Sequence, residues 1–431
     1  MARFRAAAGS SDDAARPRER QHTILERLEG LARAAQVPDA SRPALVLFGI
    51  VLALLAIGLV VQASHASTTS APEDFWAILR SQVLFRVAAI GALLVGVRVG
   101  PQGLRRHIPA LTVVCAIFLV LVFVPGVGDP RNGAHRWLQI PLLGLSFQPS
   151  ELARIVMVLW VADRCIRLGD GVRDLRRGAL PMLAAGLVFF SAILVETDLG
   201  GAILFLCCFL ATMWVGGARL RQISGPVVIV AGGAAFSLVV FVSYIRHRLE
   251  MWLGSASNNQ VERTAEAIAS GDLFGVGLGQ GLWRNARVPY LESDYVLALV
   301  GEELGFFGVV LVLGLLIAFT WLAIRLSLSI HDRYSALCAF GLLLSVGLQA
   351  MIHAQVVTAL APPKGMPLPF VSHGGTALVV SSLAIGLALG AARREARTER
   401  AFEPLAKARS LLENTASGAT PVAAPVQIPN S

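Results

Sequence analysis

Leu291-Glu292-Ser293-Asp294-Tyr295-Val296-Leu297-Ala298-Leu299-Val300-Gly301-Glu302-Glu303-Leu304-Gly305 places four carboxylates within residues 292–303, and the residues that follow, Phe306 to Ala323, carry no charge. That second run is nearly long enough to cross a hydrocarbon core of ~30 Å, which takes about 20 apolar residues of helix. Carboxylates gathered where a chain enters a membrane are costly, and they point to function.

Outward from this stretch, apolar runs of similar length recur from Ala44 to Leu389. The whole chain is 55% hydrophobic and 15% charged, with a mean hydropathy of +0.65. The reading is an all-α polytopic membrane protein with about ten transmembrane helices, at 43–62, 75–97, 108–125, 150–168, 179–195, 199–217, 224–244, 305–324, 334–358 and 376–392. A cytoplasmic tail (1–42) precedes this domain (43–392), and a mostly disordered tail (393–431) follows it. The five cysteines all fall in apolar segments and read as buried thiols. Of the 37 Lys and Arg residues, 26 lie on the side that holds both termini, 8 on the other and three within spans. The positive-inside rule therefore puts both termini in the cytoplasm. The net charge of +9 is explained by these topology anchors, and nucleic acid is not implied as a partner.

Four outer segments carry the remaining polar chemistry. The first, 125–149, holds Arg136-Trp137 and ends in Gln148-Pro149-Ser150-Glu151, a helix start that places Arg154 one turn inside. Arg154 reads as a snorkelling anchor, a Glu151 partner or an anion contact. The second is the turn Glu196-Thr197-Asp198, where Asp198 can cap the next helix or serve the site. The third is the large loop between spans seven and eight (245–304). It contains an amphipathic helix over 258–270 and then glycines at every second position from Gly275 to Gly281, which permit a tight backbone course. The fourth, Pro362-Pro363-Lys364-Gly365-Met366-Pro367-Leu368-Pro369-Phe370-Val371-Ser372-His373-Gly374-Gly375, is too rich in Pro and Gly for a regular helix. It reads as irregular backbone dipping in to line a polar cavity. Lys364 is one of only two lysines among the 37 basic residues, and it stands on the positive-poor face.

Together these segments bring Arg136, Arg154 and Lys364 to the same side as Asp198, Asp294, Glu302, Glu303, Ser372 and His373. Cations at a membrane surface suit a lipid pyrophosphate. A carboxylate beside them can deprotonate an attacking hydroxyl. The set describes glycosyl transfer from a lipid-linked sugar. It equally describes binding of an anionic lipid for transport, and composition does not separate the two. If 294–304 is helical, Asp294 and Glu302 share a face and Glu303 points away. Asp294 can also be that helix's cap, in competition with Ser293.

Over residues 43–392 the chain resembles the SEDS family (shape, elongation, division and sporulation), whose members include FtsW, RodA and SpoVE. The resemblance rests on Arg136-Trp137 with Gln148-Pro149-Ser150-Glu151, on Asp198-Leu199-Gly200, and on Ser293-Asp294-Tyr295 leading to Gly301-Glu302-Glu303-Leu304-Gly305. The run Lys364-Gly365-Met366-Pro367-Leu368-Pro369-Phe370-Val371-Ser372-His373-Gly374-Gly375 completes it. The resemblance implies a peptidoglycan glycosyltransferase of the bacterial cytoplasmic membrane, with an outward-facing site that polymerises lipid II for division or elongation. The lengths of the tails lean toward the FtsW type. It implies Asp294 as general base on the acceptor's 4-hydroxyl, Arg136 and Lys364 as pyrophosphate partners, and Arg154, Ser372, Glu302 and Asp198 around the substrate. It also implies a class B penicillin-binding protein as partner, alongside other divisome or elongasome membrane proteins. A divalent cation, Mg or Mn, is implied as well, though no residue pattern fixes a metal site.

The chain departs from the family's pattern in several places. Arg154 stands where Lys is usual, which turns a point charge into a planar fork. Glu196-Thr197 replaces Gln-Pro, His373 replaces Tyr, and Leu291-Glu292 replaces the His that precedes the Ser/Thr-Asp pair. The rival functions are a lipid II flippase and an idle scaffold.

Overall fold

The computed structural model describes residues 40–69, 72–131, 134–140, 145–225, 259–281, 291–362 and 365–416, with a few single positions between 226 and 258. The expected span at 224–244 falls almost wholly outside these residues. Ten helices have described bounds: α1 (Ser41–Thr69), α2 (Pro72–Leu104), α3 (Ile108–Leu121), α4 (Pro149–Leu168), α5 (Leu180–Val195), α6 (Leu199–Val215), α7 (Asn259–Ser270), α8 (Val296–Ser329), α9 (Arg333–Val357) and α10 (Gly375–Ala416). Among the described residues, six helical segments are long and apolar enough to cross a membrane. Their outward faces carry bare apolar side chains, such as Leu84 and Val87 on α2 and Ile317 and Trp321 on α8, the pattern of a lipid-facing surface.

The chain is not purely helical. Three short strands, β1 (Gly128–Arg131), β2 (Ala134–Ile140) and β3 (Leu145–Phe147), form an antiparallel sheet in the order β1-β2-β3. Arg131 pairs with Ala134, and the residues between them in sequence, Asn132-Gly133, are the strongest short hairpin signal a sequence offers. The sequence reading passed over it. The last helix also differs from expectation: α10 runs on to Ala416, well past the end of its apolar run at 392, so the first part of the expected disordered tail continues the helix.

Two features set the frame for the site. α9 is the hub, packing against α2, α4, α6, α8 and α10. α2 and α10 meet backbone to backbone through Gly96 and Gly100 on one side and Gly386 and Gly390 on the other. A Cβ on Gly386 would strike the Leu93 carbonyl, and one on Gly390 would sit 2.9 Å from the Gly96 carbonyl oxygen. Small residues one turn apart on both helices permit this approach, a common device between membrane helices.

α8 is two helices joined by a break. Gly305 takes φ 67° and ψ −164°, a region open only to glycine, and separates 296–304 from 306–329. The break's orphan groups are satisfied by the segment after α7. Phe306 and Phe307 N–H donate to the carbonyls of Asp272 and Leu273 (2.9 and 3.2 Å), and Val276 and Gly277 N–H donate to those of Glu302 and Glu303 (2.9 and 3.1 Å). This accounts for the alternating glycines: Gly275, Gly277 and Gly279 all have φ between 80° and 99°, and a Cβ on Gly275 would collide with the Glu303 carbonyl. The expected amphipathic helix at 258–270 is observed as α7.

Candidate functional site

The segment 365–374 dips into the protein as irregular backbone, as its Pro and Gly content predicts. Met366, Leu368, Phe370, Val371 and Ser372 are all buried, and Phe370 sits at φ 67°. Buried irregular backbone needs partners for its polar groups, and α9 supplies them from Gln349 and His353, one helical turn apart. Gln349 Nε2 donates to the Pro367 carbonyl at 2.9 Å, and His353 Nδ1 meets the Met366 carbonyl at 2.8 Å. On the far side, Gly58 of α1 lets the segment close in, since a Cβ there would stand 2.6 Å from the Phe370 carbonyl oxygen.

This dipping segment holds the turn that bears Asp294. Ser372 Oγ accepts from Leu368 N–H at 2.8 Å and donates to the Ser293 carbonyl at 2.6 Å. His373 N–H donates to the Glu292 carbonyl at 3.0 Å, and Gln62 Nε2 of α1 donates to the same carbonyl at 2.8 Å. The helix begins at Val296 with Tyr295 in the capping position, so Asp294 lies in the turn ahead of it. The helical phase expected for 294–304 therefore does not apply to Asp294. Glu302 and Glu303 are both buried at 1% exposure and face the glycine segment. A Cβ on Gly281 would sit 2.7 Å from the Glu302 carboxyl carbon, and Glu303 Oε1 accepts from Ser64 Oγ at 2.8 Å.

Gly365 joins the Asp294 turn to a neighbouring cleft. A Cβ on Gly365 would come within 2.9 Å of Asp294 Oδ2. The same glycine lines a small, half-open cleft with Gln148, Glu151, Arg154, Asp198 and Gln349 among its walls. Arg154 is 6% exposed and donates from Nη1 to Gln349 Oε1 at 3.2 Å. Its Nε has no hydrogen-bond partner among the described residues. Lys364 lies outside the described residues.

Asp198 does cap α6, accepting from Gly201 N–H at 2.9 Å. It also accepts from Gln148 Nε2 at 2.7 Å and pairs with Arg136 of β2 at 3.8 Å. Beside it, Glu196 is fully buried and neither carboxyl oxygen has a hydrogen-bond partner among the described residues. Burial pushes its pKa up to about 9, with Asp198 adding to the rise and Arg136 opposing it. Thr197, between the two acids, takes φ 60°, which a proline ring cannot reach. Replacement of the family's usual proline thus gives this turn a backbone of its own.

Among the described residues no three of His, Cys, Asp or Glu are grouped to hold a metal ion. The sequence reading missed Gln62, Gln82, Gln349 and His353 altogether. Each is a polar residue inside an apolar helix, and that is the signal that could have marked them.

Residues 44–397 match the profile of the FtsW/RodA/SpoVE family of cell cycle proteins. The chain belongs to that family. It is 30% identical over 355 residues to a probable peptidoglycan glycosyltransferase FtsW of Geobacter metallireducens, covering 81% of this chain and 94% of the relative. It is 33% identical over 360 residues to stage V sporulation protein E of Bacillus subtilis, covering 81% and 97%. Among solved structures, the FtsW/RodA/SpoVE fold recurs in RodA of Thermus thermophilus, with a TM-score of 0.60 at 24% identity over 81% of this chain and 96% of that one. It recurs also in a chain of a peptidoglycan synthase complex, with a TM-score of 0.65 at 23% identity over 81% and 97%.

Proposed function

We propose that this chain is a peptidoglycan glycosyltransferase that polymerises lipid II at the outer face of the cytoplasmic membrane, in division or elongation. The observation that carries the reading is the sharing of Gly365 between the Asp294 carboxylate and the cleft that holds Arg154. A base and a cation stand on either side of one backbone position. The names of the curated relatives favour polymerisation over transport.

In this reading the chain crosses the membrane ten times with both termini in the cytoplasm. The acceptor's 4-hydroxyl oxygen attacks the donor's anomeric carbon while Asp294 takes the hydroxyl proton. The bond from that carbon to the pyrophosphate oxygen breaks, and the departing charge is met by Arg154, Arg136 and Lys364. Asp198 orients Arg136 and Gln148, since a carboxylate would repel the pyrophosphate itself. Ser372 serves by holding the Asp294 turn, and Glu302 by tying the outer helix to the glycine segment. A divalent cation would assist the leaving group. A class B penicillin-binding protein would cross-link the product, a pairing supported by the related peptidoglycan synthase complex, which coordinates polymerisation with cross-linking.

The test is purified full-length protein supplied with lipid II, with glycan length read on a gel. Wild type forms polymer, and Asp294→Asn lowers the rate by about 10²-fold or more. Equal polymer from both removes Asp294 as the base. Lipid scrambling in vesicles without polymer replaces the reading with transport.

A further inference from the structure

Arg86 is buried in α2 at 5% exposure, and the partners that the structure gives it are neutral oxygens. Its Nε donates to the Leu55 carbonyl at 3.1 Å. Its Nη1 donates to the Gln82 carbonyl at 3.3 Å and to Gln82 Oε1 at 2.7 Å. A guanidinium has donors and no acceptor, so it fixes the Gln82 amide with its oxygen toward Arg86 and its nitrogen away. That nitrogen meets Nδ1 of His373. Nδ1 must then accept, which leaves the ring proton on Nε2 and the imidazole neutral.

The chain continues to the Asp294 turn. His373 N–H holds the Glu292 carbonyl, two residues before Asp294, where Gln62 also donates. The Glu292 carboxylate lies 3.6 Å from His65 Nε2 of α1. Arg86 Nη2 has no hydrogen-bond partner among the described residues, so the bonds that Nε and Nη1 do make are costly to lose, and they hold the Gln82 amide in one orientation.

We propose that Gln82 and His373 are positioning residues for the reaction at Asp294, transmitting the orientation that Arg86 imposes to the turn that carries the base. The inference rests on the glycosyltransferase reading for its kinetic test and on the contacts alone for its structural test. A neutral acceptor at the Nδ1 position of residue 373 is what the chain requires. Asparagine offers one through Oδ1, and leucine offers none.

Full-length wild type, His373→Asn, His373→Leu and Gln82→Leu are compared by deuterium exchange and by lipid II polymerisation. In both leucine variants, exchange over residues 291–295 rises about tenfold while α9 keeps its protection. Their kcat falls about tenfold with KM within about twofold. His373→Asn stays within about threefold of wild type in both measurements. Asparagine and leucine variants that behave alike overturn the proposal, as does unchanged exchange over 291–295 or equal loosening of α9. A wild type that makes no polymer removes the glycosyltransferase reading, and the exchange comparison then decides this inference alone.

Discussion

Ser372 is bonded to Ser293, the residue just before Asp294, across 79 positions of sequence, with a donor–acceptor distance of 2.6 Å. The hydroxyl also accepts from Leu368 N–H, so one oxygen joins the dipping segment to itself and to the Asp294 turn. Removing it takes a donor from the Ser293 carbonyl and an acceptor from the Leu368 N–H at a buried joint, and leaving a buried polar group unsatisfied costs about 1–3 kcal/mol. Ser372→Ala is therefore expected to lower the thermal unfolding midpoint, followed by tryptophan fluorescence in detergent. Polymerisation should fall about tenfold because the turn loses its register.

Gly365 tests the placement of Asp294 more directly. An added methyl would stand 2.9 Å from Oδ2, close enough to push the carboxylate aside. Gly365→Ala should reduce the lipid II polymerisation rate by up to about 10²-fold, with little change in unfolding temperature. Gly374→Ala is the internal control: its nearest neighbour would be 3.5 Å away, and its rate should match wild type.

Glu196 gives the fold a pH dependence. Its pKa rises from an ordinary 4.5 to about 9 in the folded protein. Below 4.5 both folded and unfolded chains hold the proton, and pH has no effect through this group. Between those values the folded chain keeps a proton that the unfolded chain has released, so stability falls as pH rises. Glu196→Gln removes that slope. The melting temperature of the variant relative to wild type should climb steadily from about pH 5 to pH 9, and a constant difference across the range would refute the assignment.

The α2–α10 contact should tolerate no side chain. Gly386→Ala drives a methyl into the Leu93 carbonyl, and the helices must part. Overpacking of this kind costs about 1–3 kcal/mol, measurable as a lower midpoint in detergent. Gly91→Ala, on the facing helix α2 with open space around it, should leave the midpoint unchanged.

What could be read from the sequence follows from how local each signal is. The apolar runs, the amphipathic α7, the Pro/Gly density of 362–375 and the cap at Asp198 are properties of adjacent residues, and the structure has them. Asn132-Gly133 was equally local and was overlooked against an all-helical expectation. The span expected at 305–324 already starts at the Gly305 break, whereas the bonds that satisfy the break come from residues 272–277 and have no local signature. The network that holds Asp294 has no local signature, since Gln62, Arg86, Glu292 and His373 meet only when four separate elements pack. His373 and Glu292 registered as departures from a family pattern, and their hydrogen bond to each other became visible only in three dimensions.

The grip of residues 372 and 373 on the Asp294 turn also sets a schedule for biosynthesis. The ribosome delivers Asp294 well before Ser372 and His373, so once α8 is made the turn has Gln62 of α1 to dock on and still lacks the dipping segment. A nascent chain ending after α8 carries Asp294 without residues 372 and 373, which hold its turn. On the proposed role of Asp294, competence is therefore acquired only when the dipping segment after α9 has closed on the turn.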